Sequence, residues 1–276
     1  MMSLIWLCAR HELLLAARSR WLQWFAVIFA GLALLVAASG YVLSGGYGLQ
    51  DFARTAVSLV QLVLLIVPLA ALVFGSLTLS PDRGAAELLY AQPVPRWAIL
   101  AGRVIGLFLA LAAAELLGFG VAGLAVQYYS GPSGASQFLV VVALSLALTA
   151  VFLAVAASLA SGEPGRRARA LAMSLVVWFV AVILFDLAAL GVASMLRSGA
   201  ASRVLMTAAL LNPVDAGRTG AYMAIEGTSA FGGASLALLR FAGGERAVAA
   251  LVTMSLVLWT VVPGLIAARR LGRTDL

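Results

Sequence analysis

Two acids, Glu115 and Asp186, stand inside long apolar runs, where their type is most costly. A carboxyl in hydrocarbon can carry a proton, face a cavity and hold a cation, or bond a neighbouring helix, and the sequence leaves these roles open. At 1.5 Å per helical residue, Glu115 lies about 18 Å from Arg103 and Asp186 about 25 Å from Arg169, so both are expected in the outer half of a bilayer. Other chemistries lose their usual agents. Every basic residue is arginine, and a phosphate-binding loop needs a lysine on the terminal phosphates, as Schiff-base chemistry needs one on a carbonyl. The chain is therefore expected to hydrolyse no nucleotide, to hold no cofactor and to be no enzyme. His11 is the one histidine, close to the amino terminus with no serine placed to pair with it, and Cys8 has no second cysteine. Met195, Met206 and Met223 are soft enough for copper, but their spacing is irregular and no histidine or cysteine accompanies them, so packing is expected and no metal site. Gly118-Phe-Gly120-Val-Ala-Gly123 has the spacing of a dinucleotide loop but sits inside an apolar run instead of between strand and helix.

The elements that must position these residues follow from composition. Of 276 residues, 63% are apolar and 11% charged, far from the balance of a soluble domain, a disordered chain or a disulfide scaffold. Apolar runs long enough to cross about 30 Å of hydrocarbon occupy residues 21–43, 55–79, 104–126, 137–160, 170–192 and 247–268. Glu115 and Asp186 are the charges within them. The expected fold is all-α: one polytopic domain, residues 1–276, with six transmembrane helices. Segments 1–20, 80–103, 161–169 and 269–276 each carry three arginines, whereas 44–54 carries one, 127–136 none and 193–246 five in a loop long enough for the bias to lose force, which predicts both termini in the cytosol. This bias also accounts for the net charge of +7, so no nucleic-acid partner is expected. Ala37-Ala38-Ser39 resembles a signal-peptide cleavage site, but the preceding run is longer than the roughly 7 to 15 residues such a region uses.

The intervening segments differ. Leu4, Leu7, Leu14 and Leu15 alternate with Arg10, His11 and Arg18, as in an amphipathic helix at the interface, or a plain basic leader. In the long outer loop, 193–246, the patches Val204–Leu211 and Ala230–Leu239 are too short to cross and read as re-entrant or interfacial half-helices, or as an external subdomain. Gly102-x-x-x-Gly106, Gly118, Gly120 and Gly123 permit close helix approach, within the chain or in a dimer. In the segment 80–103, Ser80 can cap a helix, Pro81 begin it, Asp82 face its positive end and Pro93 stop it. Leu88, Leu89 and Tyr90 would give it an apolar face for a soluble partner.

Arg83-Gly84-x-x-Glu87-Leu88-Leu89 followed by Pro93-Val94-x-Arg96, between the second and third of six spans, resembles the coupling segment of type-2 ATP-binding-cassette permeases. Ala85, Ala86 and Pro95 depart from that family's usual residues. The likeness extends over the chain, including Leu211-Asn212-Pro213-Val214-Asp215 in the outer loop and the arginine-rich end. It implies docking of Arg83, Gly84, Glu87, Leu88, Leu89, Pro93 and Arg96 on a separate ATPase subunit of the NosF type, which would bind ATP and magnesium. It also implies a bacterial inner-membrane location, a NosD-like periplasmic partner, and copper or a sulfur species as cargo for nitrous oxide reductase maturation; six spans with a relatively small cytosolic surface suit a half-transporter, so a homodimer is expected. A secondary transporter or channel, or a scaffold that transmits motion without cargo, are the alternatives.

Overall fold

The computed structural model describes residues 2–43, 52–80, 84, 94–130, 135–161, 167–227 and 242–273. Among them all regular structure is helical, and six helices are long and apolar enough to cross a membrane. A short helix α1 (Met2–Arg18) leads into α2 (Arg20–Leu43), followed by α3 (Phe52–Leu79), α4 (Arg96–Ser130), α5 (Ala135–Ala160) and α6 (Arg167–Ser194). Two helices of 14 residues come next, α7 (Ser198–Leu211) and α8 (Pro213–Glu226), before the last span, α9 (Glu245–Arg273).

Helix ends depart from the hydropathy runs for a physical reason. Hydropathy marks the depth of hydrocarbon, whereas a helix continues until its backbone is stopped. Thus α4 begins at Arg96, directly after Pro95, and residues 96–103 of the expected coupling segment form its first turns. Residues 204–211 are the second half of α7, while 230–239 lie outside the described residues.

The core lies among α2, α3, α4 and α5, where Phe29, Phe119 and Phe152 are fully buried. Phe119 meets Phe29 and Phe138 edge-on, with ring centroids 5.1 and 5.9 Å apart. Because lipid tails are as apolar as leucine, close packing holds such helices together, and small residues set how near they come. A Cβ on Gly106 would stand 2.3 Å from the Ala9 carbonyl oxygen, and one on Gly102 2.5 Å from Cys8 Cβ, so these glycines seat α1 on α4. Gly118 gives room to Phe29 in the same way. The exposed Leu7, Leu14 and Leu15 leave Ala9 and Glu12 as the buried face of α1. By contrast α6 is the barest span, with an 18-residue stretch containing no buried residue.

Candidate functional site

The polar groups gather in three places: a helical hairpin apex, a buried acid, and the end of the bundle that carries Arg96, Arg103 and Arg270. The hairpin follows from local sequence. Pro213 begins α8, Asp215 sits in its first turn, and the Asn212 side-chain oxygen accepts from Val214 N at 3.2 Å. This break between α7 and α8 lies level with the middle of two spans. Asn212 Nδ2 donates to the Ala181 carbonyl, halfway along α6, at 2.7 Å; Ser255 Oγ and Trp259 Nε1, near the middle of α9, donate to the carbonyls of Leu210 and Leu211 at 2.6 and 2.8 Å.

A chain break at that depth needs a partner for every exposed backbone group, because hydrocarbon supplies none. The last turn of α7 leaves carbonyls unpaired, and α9 provides their donors. Ala181 belongs to a π-helical stretch, Val180–Leu184, whose wider turn presents a carbonyl sideways, and Asn212 takes it. From the apex α8 climbs back among α3, α5 and α9. Gly217 faces Leu144, Gly220 faces Val252, and Tyr222 pairs with Gln61.

One turn into α8, Arg218 Nη1 donates to Asp186 Oδ2 at 2.7 Å and stands 2.9 Å from Asp215 Oδ1 as an ion pair without hydrogen-bond alignment. Asn212 Nδ2 holds the other Asp215 oxygen at 2.9 Å. Asp186, Asn212, Pro213 and Asp215 are thus brought together, and Arg218, which sequence reasoning passed over as one arginine of a long loop, joins them. Its signal was an isolated arginine between Arg203 and Arg240, in a chain with a lone acid in the preceding span.

Glu115 lies elsewhere, on α4, and is 1% exposed. Each of its oxygens accepts one hydroxyl from α5, Ser145 at 2.7 Å and Thr149 at 2.6 Å. Ser145 and Thr149 are one turn apart and share a face, a pairing visible in sequence only once α4 and α5 are known to be neighbours. Among the described residues there is no group of three or more histidine, cysteine, aspartate or glutamate side chains fit for a metal ion. Met206 and Met223 pack against Val248 and Val252, and Met195 is exposed.

At the arginine-bearing end, three helix C-termini receive guanidinium donors. Arg103 reaches the Thr78 carbonyl in the last turn of α3, Arg96 Nη1 the Leu271 carbonyl of α9 at 3.3 Å, and Arg270 Nη1 the Ser158 carbonyl of α5 at 3.1 Å. Arg103 Nε also pairs with Glu12 of α1 at 2.9 Å, both side chains mostly buried. Arg96 and Arg103, both on α4, therefore tie the first turns of that helix to α1, α3 and α9. Of the residues expected to dock the ATPase, Arg96 starts α4 and Gly84 is exposed in a helical position, while Arg83, Glu87, Leu88, Leu89 and Pro93 lie outside the described residues.

Residues 6–276 match the model of the ABC-2 family transporter protein family. The chain belongs to the ABC-2 transporter family. It is 34% identical over 220 residues to the probable ABC transporter permease protein NosY of Pseudomonas aeruginosa, covering 78% of this chain and 80% of that one. To the protein of the same description in Stutzerimonas stutzeri it is 32% identical over 272 residues, covering 96% and 97%. As an ABC-2 permease the chain is a multi-pass membrane component of an ABC transporter, and this family implies an ATPase partner.

Proposed function

We propose that the chain is the membrane half of a homodimeric, ATP-driven permease of the bacterial inner membrane, with its arginine-bearing end in the cytosol. A separate NosF-like ATPase subunit docks on residues 80–95, and its closure on ATP and magnesium moves that segment. The observation that carries this reading is the double tie of the helix that follows the segment: on α4, Arg103 pairs with α1 and α3, and Arg96 with α9. Residues 80–95 lead directly into α4, whose Arg96 holds the Leu271 carbonyl of α9, so a displacement of the segment reaches the helix that also holds the hairpin apex through Ser255 and Trp259.

On the opposite side the hairpin faces a NosD-like periplasmic protein. The cargo we assign is copper or a sulfur species for nitrous oxide reductase maturation, carried over from the family resemblance of the sequence. A second reading, transmission of ATPase motion to the external partner without passage of cargo, is favoured by the apolar linings of two cavities beside α5 and α9, which offer no ligand to copper. Replacing residues 83–93 by a Gly-Ser linker of equal length tests the docking: the ATPase is expected to be lost on co-purification, and an intact complex would refute the assignment.

A further inference from the structure

Two spans carry a proline inside the helix, Pro68 in α3 and Pro263 in α9. Each lacks the N–H that would bond the carbonyl four residues earlier, and its ring crowds that turn. In α3 the break is braced from outside. Trp178 Nε1 of α6 donates to the Leu65 carbonyl at 3.0 Å, and Leu64, Val67, Ala71 and Leu72 are buried around the proline. In α9 the sequence compounds the break instead. Gly264 follows directly, after proline the poorest helix former, and a Cβ on it would meet nothing within 4 Å, so packing does not require a glycine there. Just before the proline, Thr260 Oγ1 turns back to the Leu256 carbonyl at 2.9 Å, a bond that bends helices.

The neighbours of α9 change at the same point. Pro263 is itself buried. On its outer side Val248 and Val252 are buried, and Ser255 and Trp259 hold the hairpin apex. On its inner side Ala267 and Leu271 are buried with Leu79 of α3 and Ile99 and Leu100 of α4, the Leu271 carbonyl accepts from Arg96, and Arg270 Nη1 donates to the Ser158 carbonyl of α5 at 3.1 Å. Between these grips, open clefts separate α9 from α5 on both sides of the proline: one along Leu256, Thr260 and Val261, the other along Thr260, Gly264 and Ala268. The facing wall of α5 is alanine, Ala143, Ala147 and Ala150 beside the first cleft and Ala150, Ala154 and Ala157 beside the second. A helix held at its two ends by different neighbours, broken once, and given room on either side of the break has the parts of a joint.

We infer that α9 is jointed at Pro263–Gly264, so that its outer half swings with the α7–α8 hairpin toward and away from α5 while its inner half stays with α4 and α5. Its use as a relay rests on the docking proposed above, but the bend belongs to this chain and needs no ATP. Ala250 lies 13 residues from Pro263, about 20 Å along the helix, so a change of about 20° at the joint moves it by about 7 Å. The test uses the full chain in lipid nanodiscs, in a Cys8→Ser background diluted with unlabelled chain, without ATPase or nucleotide. Spin labels at Ala250→Cys and Leu139→Cys, both exposed, report the outer half of α9 against α5. Labels at the exposed Arg269→Cys and Arg10→Cys report the inner half against α1, which is seated on α4. The outer distance distribution is expected to be at least twice as wide as the inner one. Pro263→Ala with Gly264→Ala restores the N–H and removes the freedom of the glycine, and should narrow the outer distribution to the inner width; Gly264→Ala alone, which meets no neighbour, should narrow it partway. Equal widths in the wild type, or an outer distribution that both variants leave wide, would overturn the joint. Failure of the ATPase to dock leaves these widths as they are, so the two readings fail separately.

Discussion

The hairpin apex and the arginine-bearing end solve the same problem, helix ends that need donors, with different materials. At the apex the donors are neutral side chains, Asn212, Ser255 and Trp259, and the charged group beside them, Arg218 with Asp186 and Asp215, keeps a quarter to a third of Arg218 and Asp186 exposed. At the other end the donors are guanidinium groups, and the Arg103–Glu12 pair is nearly sealed, at 13% and 6% exposure. Neutral donors suit a break at mid-membrane depth, where a charge is expensive. Arginines suit the rim, where long side chains reach both backbone and interface. The arginine-bearing end is thus held by charged donors and the helix break at the apex by neutral ones, and α9 takes part in both.

Breaking the charge lock should have the largest effect. Arg103→Met leaves Glu12 buried without its partner and frees the Thr78 carbonyl, an expected loss of about 3–5 kcal/mol by chemical unfolding in detergent. Glu12→Leu added to it should recover much of that loss, because an apolar pair of like volume needs no counter-charge. If the double variant is as unstable as the single, the lock is not electrostatic.

An intermediate effect is expected at the apex. Asn212→Ala removes a helix cap and leaves the Ala181 carbonyl and an Asp215 oxygen short of a donor, at about 1–3 kcal/mol. Trp259→Phe removes a donor to the Leu211 carbonyl and should cost about 0.6–1.7 kcal/mol. A larger loss from Trp259→Phe than from Asn212→Ala would move the anchor of the hairpin from α6 to α9.

The smallest change is expected at Glu115→Gln. An amide can accept from one hydroxyl and donate to the other, so the link between α4 and α5 survives, with stability within about 1 kcal/mol of wild type. Activity in cells then reports whether the carboxyl does more than pack; full activity would leave it as a helix-to-helix bond.

Much of the frame was legible in the sequence because length and hydropathy report directly on hydrocarbon depth. The hairpin was half legible: Asn212-Pro213 announces a helix start, and Val204–Leu211 is too short to cross, but its depth is set by Ala181, Ser255 and Trp259, which are far away in the chain. Arg103 counted only toward topology and Glu12 drew no reading at all; the approach of α1 to Gly102 and Gly106 makes them partners. The π-helical turn at 180–184 had no sequence mark at all, since its residues are as apolar as their neighbours. Tertiary geometry, not residue type, decides such positions.

The most direct test of the central claim follows one distance. Gly199 opens α7, is exposed, and has room for a label. Spin labels at Gly199→Cys in the two copies of the proposed homodimer, in a Cys8→Ser background, should shift their separation when the ATPase is trapped on magnesium-ATP. The shift should vanish when residues 83–93 are replaced by the linker. An unchanged separation on trapping, or a shift that persists with the linker in place, would contradict the claim that motion enters at the arginine-tied segment and reaches the hairpin.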